Sequence, residues 1–392
     1  MSDINATSIC ESARSDSPKH LLNRRSESPQ RPSKIARTDD LSDGEQQDSV
    51  ASKTMTQNPR VQRYLVAVEY IGTRFSGSQQ QLNCRTVVGA LQEAFHKFIG
   101  QPVSIFCSSR TVVTMNFMLP HEKDAGVHAL SNVCHVDVER ISKRKPGEVL
   151  PPHEPAVVRR AVNHFLQKNE GDVMVIDVRC VPPDFHARYK ARERTYFYRL
   201  LSGPEPLSSF EKDRAWHVPE DLDLLAMQKA CRVLVGCHDF SSFRAAGCQA
   251  KSPIRTLDEL CVSEVLPTPY FPSITERVQN NFTEENPLAC SNNAEVPDSP
   301  STANHDRLDG FNGAGLGFGV RRRHRCFVVT ARARSFLYHQ VRLLVGVIKC
   351  VGTGDLTVSD VERILNAKTV TAASPMAPAC GLYLGNVNYD LP

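Results

Sequence analysis

The chain has 392 residues, of which 41% are hydrophobic and 23% charged, with a formal net charge of +4. This length supports a sizeable buried core and two or three domains. The longest apolar run near the C-terminus, 343–348, is far shorter than the roughly 20 residues that cross a bilayer, so we expect no membrane contact. The 13 cysteines form no C-x-x-C pair, and no secretory signal is visible. We therefore expect an intracellular protein without disulfides.

The positive charge is clustered rather than large. Seven arginines and no acidic residue lie between Arg321 and Arg342, and a second basic stretch, Arg188–Arg199, alternates cations with Tyr and Phe. Such a mixture is typical of phosphate contact combined with base stacking. The alternative for either stretch is a solvated strand face with extended arginine side chains.

The N-terminal part of the chain divides into two regions. Residues 1–59 are rich in Ser, Pro, Arg, Asp and Gln, which predicts a disordered leader; weak signals in it point to either the mitochondrion or the nucleus and cytoplasm. Residues 60–184 alternate strand and helix patterns. The predicted elements are a strand at Tyr64–Tyr70, a helix from Thr86 to Gly100, a strand at Val103–Cys107, a helix from Pro155 to Gly171 and a strand at Val173–Val181.

The C-terminal region, 185–392, repeats this alternation. Its predicted elements are strands at Thr195–Leu200, Thr256–Val265 and Cys326–Ala333, with helices at Leu222–Val235, His339–Cys350 and from Thr357 to Lys368. Residues 267–319 are rich in Asn, Ser, Pro, Glu and Gly without periodicity, which predicts a disordered insertion that the fold does not need. The whole pattern favours an α+β protein with two similar, sheet-containing halves.

Short segments dense in Gly, Arg, Asp and His stand between these elements. They are Phe75–Gln81, Ser109–Thr111, Asp124–Ala129, Phe185–Arg188, Phe243–Cys248 and Phe336–Arg342. Any single segment is weak support for a catalytic site, because an Asp before Ala-Gly is more often a turn residue or a helix cap. Their order along the chain is more informative than any one of them.

Taken in order, the segments resemble the TruA family of tRNA pseudouridine synthases, most closely its animal branch of pseudouridine synthase-like proteins. The resemblance runs from about Arg63 to Tyr389, and its signature R-T-D-A-G-V-H-A is supplied in two parts, by Arg110-Thr111 and by Asp124–Ala129. It implies a pseudouridine synthase fold with a basic RNA-binding cleft between the two halves. It also implies an isomerase that converts uridine to pseudouridine in tRNA, with messenger RNA as a further substrate, without cofactor or metal, as a homodimer.

The resemblance assigns four residues to the site. Asp124 matches the catalytic carboxylate, as nucleophile or as base at the ribose, and Arg342 matches its partner arginine. Tyr196 matches the tyrosine that stacks on the target base, and Arg110 the arginine that holds the nucleotide out of the helix. Considered by themselves, Tyr196 is equally a core aromatic and Arg342 a surface ion-pair residue. A zinc deaminase is the competing base-acting enzyme, but its H-x-E and P-C-x-x-C ligand set is missing.

One departure from the family signature leaves a second function open. Twelve residues, 112–123, separate Thr111 from Asp124 where the signature has none. If these residues are present in the mature protein, the alternative is a catalytically inactive RNA-binding protein. They can also represent an unspliced in-frame intron, because Val codons begin with GT and a Lys codon can end in AG.

Overall fold

The computed structural model describes residues 60–81, 84–109, 126–145, 147–266, 324–373 and 375–391. Several predictions therefore lie outside the described residues. They are the leader 1–59, the insertion 267–319, the 112–123 insert and the two site residues Arg110 and Asp124. Tyr196 and Arg342 lie within the described part of the chain.

The strands of the described residues join into one mixed sheet. They are β1 (Val61–Tyr70), β2 (Ile105–Cys107), β3 (His128–Glu139), β4 (Val173–Val181), β5 (Glu193–Ser202), β6 (Trp216–Val218), β7 (Gly236–Asp239), β8 (Ile254–Val265), β9 (Arg325–Ala333) and β10 (Leu382–Asn388). The order across the sheet is β4-β1-β3-β10-β5-β9-β8-β7, with β2 paired to β3 and β6 paired to β5.

Five α-helices accompany these strands in the described residues. They are α1 (Val87–Ile99), α2 (Pro155–Asn169), α3 (Leu224–Leu234), α4 (Gln340–Gly352) and α5 (Val358–Ala367). Local chemistry fixes their ends. The Thr86 side chain caps the start of α1, Gly100 ends it at φ 87°, and Thr357 and Asp360 form the predicted capping box of α5.

The strand pairings repeat once along the chain. In the first half, β4, β1 and β3 are antiparallel neighbours and β2 pairs with β3; in the second half, β10, β5, β9 and β8 are antiparallel neighbours in the corresponding order. Each half is thus a βαββαβ unit in which the third strand pairs with the first and the second. The two units are joined edge to edge by a short parallel pairing of β3 with β10.

Each unit has its own hydrophobic core. One core is formed by α1, α2 and the strands of the first unit, and the other by α3, α4, α5 and the strands of the second. Tyr196 packs against both cores because β5 lies beside the junction of the two units. The region where the two cores meet is therefore the middle of the sheet.

The predicted α+β class is confirmed, and every element predicted within the described residues is present with ends within three residues of the expected ones. The structure adds strands that the sequence patterns did not indicate, most importantly β3 and β10, which connect the two units. No described helix combines the length and apolar character needed to cross a membrane.

Candidate functional site

Tyr196 lies on β5, between Leu384 of β10 and Ala331 of β9. Its ring is half-buried and meets the ring of Phe336 edge-on, with centroids 5.2 Å apart. The Tyr196 hydroxyl is 2.9 Å from the hydroxyl of Ser109. Tyr196 is thus an aromatic ring at the junction of the two units whose polar end is bonded to the residue that precedes Arg110.

Arg342 lies in the first turn of α4, and only 6% of its surface is exposed. Its Nε donates a 2.7 Å hydrogen bond to the carbonyl of Ala377, and the Ala377 amide donates one of 3.1 Å to the carbonyl of Arg342. The alternative of a surface ion-pair residue is therefore wrong. Arg342 is a buried cation that fixes the segment 375–381 to the helix.

The segment 375–381 connects Arg342 to the centre of the sheet. The hydroxyl of Tyr198 on β5 donates a 2.7 Å hydrogen bond to the carbonyl of Pro378. A Cβ on Gly381 would lie 2.5 Å from the Tyr198 ring, so only glycine allows this close approach. Burial raises the pKa of Tyr198, and the positive charge of Arg342 opposes that shift. The Arg342 guanidinium therefore lies close enough to Tyr198, in the middle of the sheet, to influence the pKa of that hydroxyl.

His128, the first residue of β3, ties three separate segments together. Its Nδ1 accepts a 3.1 Å hydrogen bond from the amide of Gly72. Its Nε2 therefore carries the proton and donates to the carbonyls of Asp213, at 3.0 Å, and Cys380, at 3.2 Å. The ring also stacks on Tyr383. Burial lowers the pKa of His128, so the ring is neutral and its hydrogen bonds are structural.

Two glycines shape the backbone next to His128. Gly126 has φ 96°, a conformation that a side chain disfavours, and a Cβ placed on it would lie 3.9 Å from the Cys380 amide. A Cβ on Gly72 would lie 1.9 Å from the carbonyl oxygen of Val127. The chain therefore enters β3 from Gly126 in close contact with Gly72, whose amide also bonds His128.

Arg194 connects the basic stretch to the same place. One terminal nitrogen of its guanidinium donates to the carbonyls of Ser108, at 2.9 Å, and Arg188, at 3.2 Å, and the other donates to the carbonyl of Arg334, at 2.6 Å. Arg199 forms an ion pair with Glu211; although burial opposes the charge, the hydrogen bonds with Glu211 raise the pKa of Arg199. These two arginines are held by contacts within the protein, whereas Lys190 and Arg192 in the same stretch are exposed.

The arginine-rich stretch before Arg342 is also partly neutralised. Arg325 forms two hydrogen bonds with Glu264 on the neighbouring strand, at 3.0 and 2.8 Å. Arg332 contacts both Glu259 and Glu193, at 2.9 Å each. Cross-strand ion pairs, rather than a ligand, account for these two charges.

Each described end of the segment 110–125 is connected to one of the two described site residues, Tyr196 or Arg342. Ser109, at one end, contacts Tyr196, and His128, just after the other end, bonds to the carbonyl of Cys380 in the segment held by Arg342. Arg110 and Asp124 lie outside the described residues. Sequence reasoning gave no role to Arg194 or Phe336, although both lie in the quoted motifs. Among the residues that the structure describes, no group of three His, Cys, Asp or Glu side chains is arranged to hold a metal ion.

Comparison with known proteins gives a consistent result. Residues 230–390 match the family model described as tRNA pseudouridine synthase. The tRNA pseudouridine synthase A of Rhodospirillum centenum is 36% identical over 329 residues, which cover 84% of this chain and 100% of that protein. Its counterpart in Parvibaculum lavamentivorans is 34% identical over 84% of this chain and 99% of its own length. The chain therefore belongs to the TruA family of tRNA pseudouridine synthases.

Proposed function

We propose that this protein isomerises uridine to pseudouridine in tRNA and that Asp124 is its catalytic carboxylate. In this reaction the bond between N1 of uracil and C1′ of the ribose breaks, the base turns, and a bond forms between C5 and C1′. The C5 proton leaves and N1 gains a proton. The reaction is therefore redox-neutral, and its balance requires no co-substrate.

The observation that carries the proposal is that the buried cation Arg342 holds the segment 375–381, whose Cys380 carbonyl is bonded to His128 at the start of β3. Asp124 is joined to Gly126 through one residue, so covalent geometry limits the distance between their Cα atoms to about 7 Å. Gly126 lies two residues before His128, which bonds the carbonyl of Cys380, three residues from the Ala377 carbonyl that Arg342 contacts. A buried guanidinium near a carboxyl favours the ionised form and lowers its pKa. An ionised carboxylate is what either proposed role of Asp124 requires.

Two roles for Asp124 agree with this environment. As a nucleophile, the carboxylate would attack the ribose or the base and form a covalent intermediate; as a base, it would remove a proton from the ribose. Both roles start from the charged carboxylate, so the contribution proposed for Arg342 is the same in each.

The surroundings of Ser109 support the proposed binding of an extruded nucleotide. Swinging a base out of a helix costs a few kcal/mol of stacking energy, and enzymes recover it by stacking rings and polar contacts. Tyr196 offers such a ring at the junction of the two units, and its hydroxyl contacts Ser109. Arg110 follows Ser109 directly in the chain, and Ser109 is hydrogen-bonded to the Tyr196 hydroxyl. The backbone of Arg110 therefore begins next to that ring. We assign Tyr196 to base stacking and Arg110 to holding the nucleotide.

Removal of the Asp124 carboxylate tests the catalytic proposal. We expect Asp124→Asn and Asp124→Ala to reduce tritium release from tRNA transcripts labelled at C5 of uridine by a factor of about 1,000 or more, because the reacting group is lost. The dissociation constant for tRNA should change little, since neither substitution removes a positive charge. Substantial tritium release by Asp124→Asn would contradict the assignment.

The 112–123 insert favours one alternative, an RNA-binding protein without catalytic activity. Wild-type protein that binds tRNA but releases no tritium would support it. Deleting 112–123 restores the family spacing between Arg110 and Asp124, so activity that appears only after this deletion would identify the insert as the cause. Sequencing of spliced transcripts decides whether these codons reach the mature message.

The proposal also covers the range of RNA substrates, the oligomeric state and the cellular location of the protein. From the family resemblance we propose messenger RNA as a further substrate and a homodimer as the working form. From the signals in residues 1–59 we propose either the mitochondrion or the nucleus and cytoplasm as its location. Mapping pseudouridines in all RNA classes after depletion of the protein tests the first. Sedimentation equilibrium and cell fractionation test the other two.

A further inference from the structure

Four aromatic rings form a continuous chain on the first unit. Phe106 of β2 stacks on His135 of β3, with centroids 5.1 Å apart and an interplanar angle of 16°. His135 meets His186 edge-on at 4.7 Å, and His186 lies 4.3 Å from Tyr189. We call these four residues the aromatic platform. It joins two strands to the loop that follows β4.

The two outer rings of the aromatic platform are exposed, whereas its inner part is fixed. Phe106 is 51% exposed and Tyr189 72%, but His135 is only 2% exposed. The Nδ1 of His135 accepts a 3.2 Å hydrogen bond from the amide of Ala187, which attaches the loop to β3. Burial lowers the pKa of His135 to about 4, so this inner ring is uncharged at neutral pH. Two large apolar rings are thus held at the surface by a buried support.

Positive charges lie next to the exposed rings. The guanidinium of Arg188 lies 5.9 Å from the ring centroid of Tyr189. Lys190 and Arg192 are exposed at the same end of the basic stretch, where they form ion pairs with Asp184 and Asp390. Exposed rings beside cations suit a ligand with flat apolar faces and a negative backbone, which is the chemistry of unpaired nucleic acid.

The aromatic platform is linked to the candidate site through Arg194. The same terminal nitrogen of Arg194 contacts the carbonyl of Arg188 and that of Ser108. Ser108 precedes Ser109, whose hydroxyl contacts Tyr196, and β2 delivers Phe106 only two residues before Ser108. A nucleotide strand that placed its target base at Tyr196 would therefore place its neighbours near Phe106 and Tyr189.

We propose that Phe106 and Tyr189 of the aromatic platform stack on unpaired bases that flank the target uridine, while Arg188 contacts the adjoining phosphate. This inference rests on the proposed function in that it takes RNA as the substrate. It adds a second contact region, separate from Tyr196 and the carboxylate. Base stacking tolerates any sequence, because every base has an aromatic face. The platform thus supplies affinity and takes no part in the chemical step.

The test compares ring-removing and ring-retaining substitutions. Phe106→Leu and Tyr189→Leu should each raise the dissociation constant for a tRNA transcript about tenfold, and the double variant more, since stacking on one side chain is worth on the order of tenfold or more in affinity. Tyr189→Trp should keep wild-type affinity because it keeps a ring. Phe210→Leu is the matched control, because Phe210 is 71% exposed but lies outside the platform.

Activity measurements separate this inference from the proposed function. At saturating enzyme, the single-turnover rate of tritium release should be the same for wild type, Phe106→Leu and Tyr189→Leu, and all should share one melting temperature. If wild type forms pseudouridine but the two Leu variants bind tRNA as tightly as Phe210→Leu, the platform proposal is overturned and the function stands. If wild type forms none while the Leu variants still lose affinity, the platform stands and the catalytic proposal fails.

Discussion

β3 and β9 occupy equivalent places in the two βαββαβ units, but they bury different kinds of side chain. Each is the third strand of its unit and pairs with the first and the second. The buried residues of β9 are Cys326, Phe327, Val329, Ala331 and Ala333, whereas those of β3 include the polar His128, Asn132 and His135. Burying a polar side chain costs free energy unless it is hydrogen-bonded, so β3 has to be explained by its partners.

The partners of β3 are the segments that surround the candidate site. His128 holds the amide of Gly72 and the carbonyl of Cys380, and His135 holds the loop that carries the aromatic platform. The Asn132 amide oxygen accepts a 3.1 Å hydrogen bond from Ser108, at the end of β2. The buried side chains of β9 only pack in a hydrophobic core. Those of β3 pack in a core and also form hydrogen bonds that position loops. β3 therefore positions the loops around the candidate site, and we expect the second unit to add one buried cation, Arg342, to that site.

Arg342 provides the strongest test of whether the second unit takes part in the chemistry. Arg342→Met retains the size of the side chain but removes its charge and its bond to Ala377. We expect kcat for pseudouridine formation to fall by roughly 100- to 1,000-fold, as for the loss of one preorganised donor in other active sites, and Arg342→Lys to recover part of it. The measurement is single-turnover tritium release, with circular dichroism to check folding.

Arg325→Met is the matched control for Arg342→Met. Arg325 lies on β9 and pairs with Glu264 at the surface, so its loss should change kcat by no more than a few-fold. An Arg342→Met protein that folds and keeps the activity of the Arg325 variant would confine the second unit to a structural role.

The buried polar groups of β3 also predict acid sensitivity. The pKa of His135 in the folded protein is about 4, below the ordinary value of 6.5, so the unfolded chain binds more protons. Stability is therefore present above pH 6.5 and is lost as the pH falls towards 4. The free energy of unfolding should drop by about 2 kcal/mol between pH 7 and pH 5 from this residue, and the lowered pKa of His128 acts in the same direction.

Urea unfolding at the two pH values measures this loss. His135→Asn keeps an acceptor for the Ala187 amide but does not titrate, so its loss of stability should be smaller by about 2 kcal/mol. His164→Asn, on the exposed face of α2, should behave like wild type. Equal losses for His135→Asn and wild type would show that His135 is not the source of the acid sensitivity.

The same contrast explains which parts of the fold could be predicted from the sequence. β9 was predicted within one residue because its buried side chains are apolar and its ends are marked by arginines. β3 was missed because His128, Asn132 and His135 interrupt the apolar alternation, and their hydrogen-bond partners are distant in the chain. The burial of Arg342 was equally hidden, since it depends on a carbonyl 35 residues away. Family motifs indicated the site residues, but local patterns could not supply these long-range contacts.

The smallest effect is expected at the connection between β8 and β9, which corresponds to the connection between β2 and β3. Val265 pairs with Cys326, and Arg325 bonds Glu264 beside them, so these strands are held together without the residues between them. Replacing 267–319 by a short Gly/Ser linker should therefore leave tritium release and tRNA affinity within about twofold. It should raise stability slightly, because each halving of a loop saves about 0.6 kcal/mol of closure entropy.

The equivalent connection after β2 carries Arg110 and Asp124, so replacing 110–125 in the same way should abolish activity. A large loss of activity from the first replacement would show that the second unit also uses its long connection, and the functional difference between the two units would disappear.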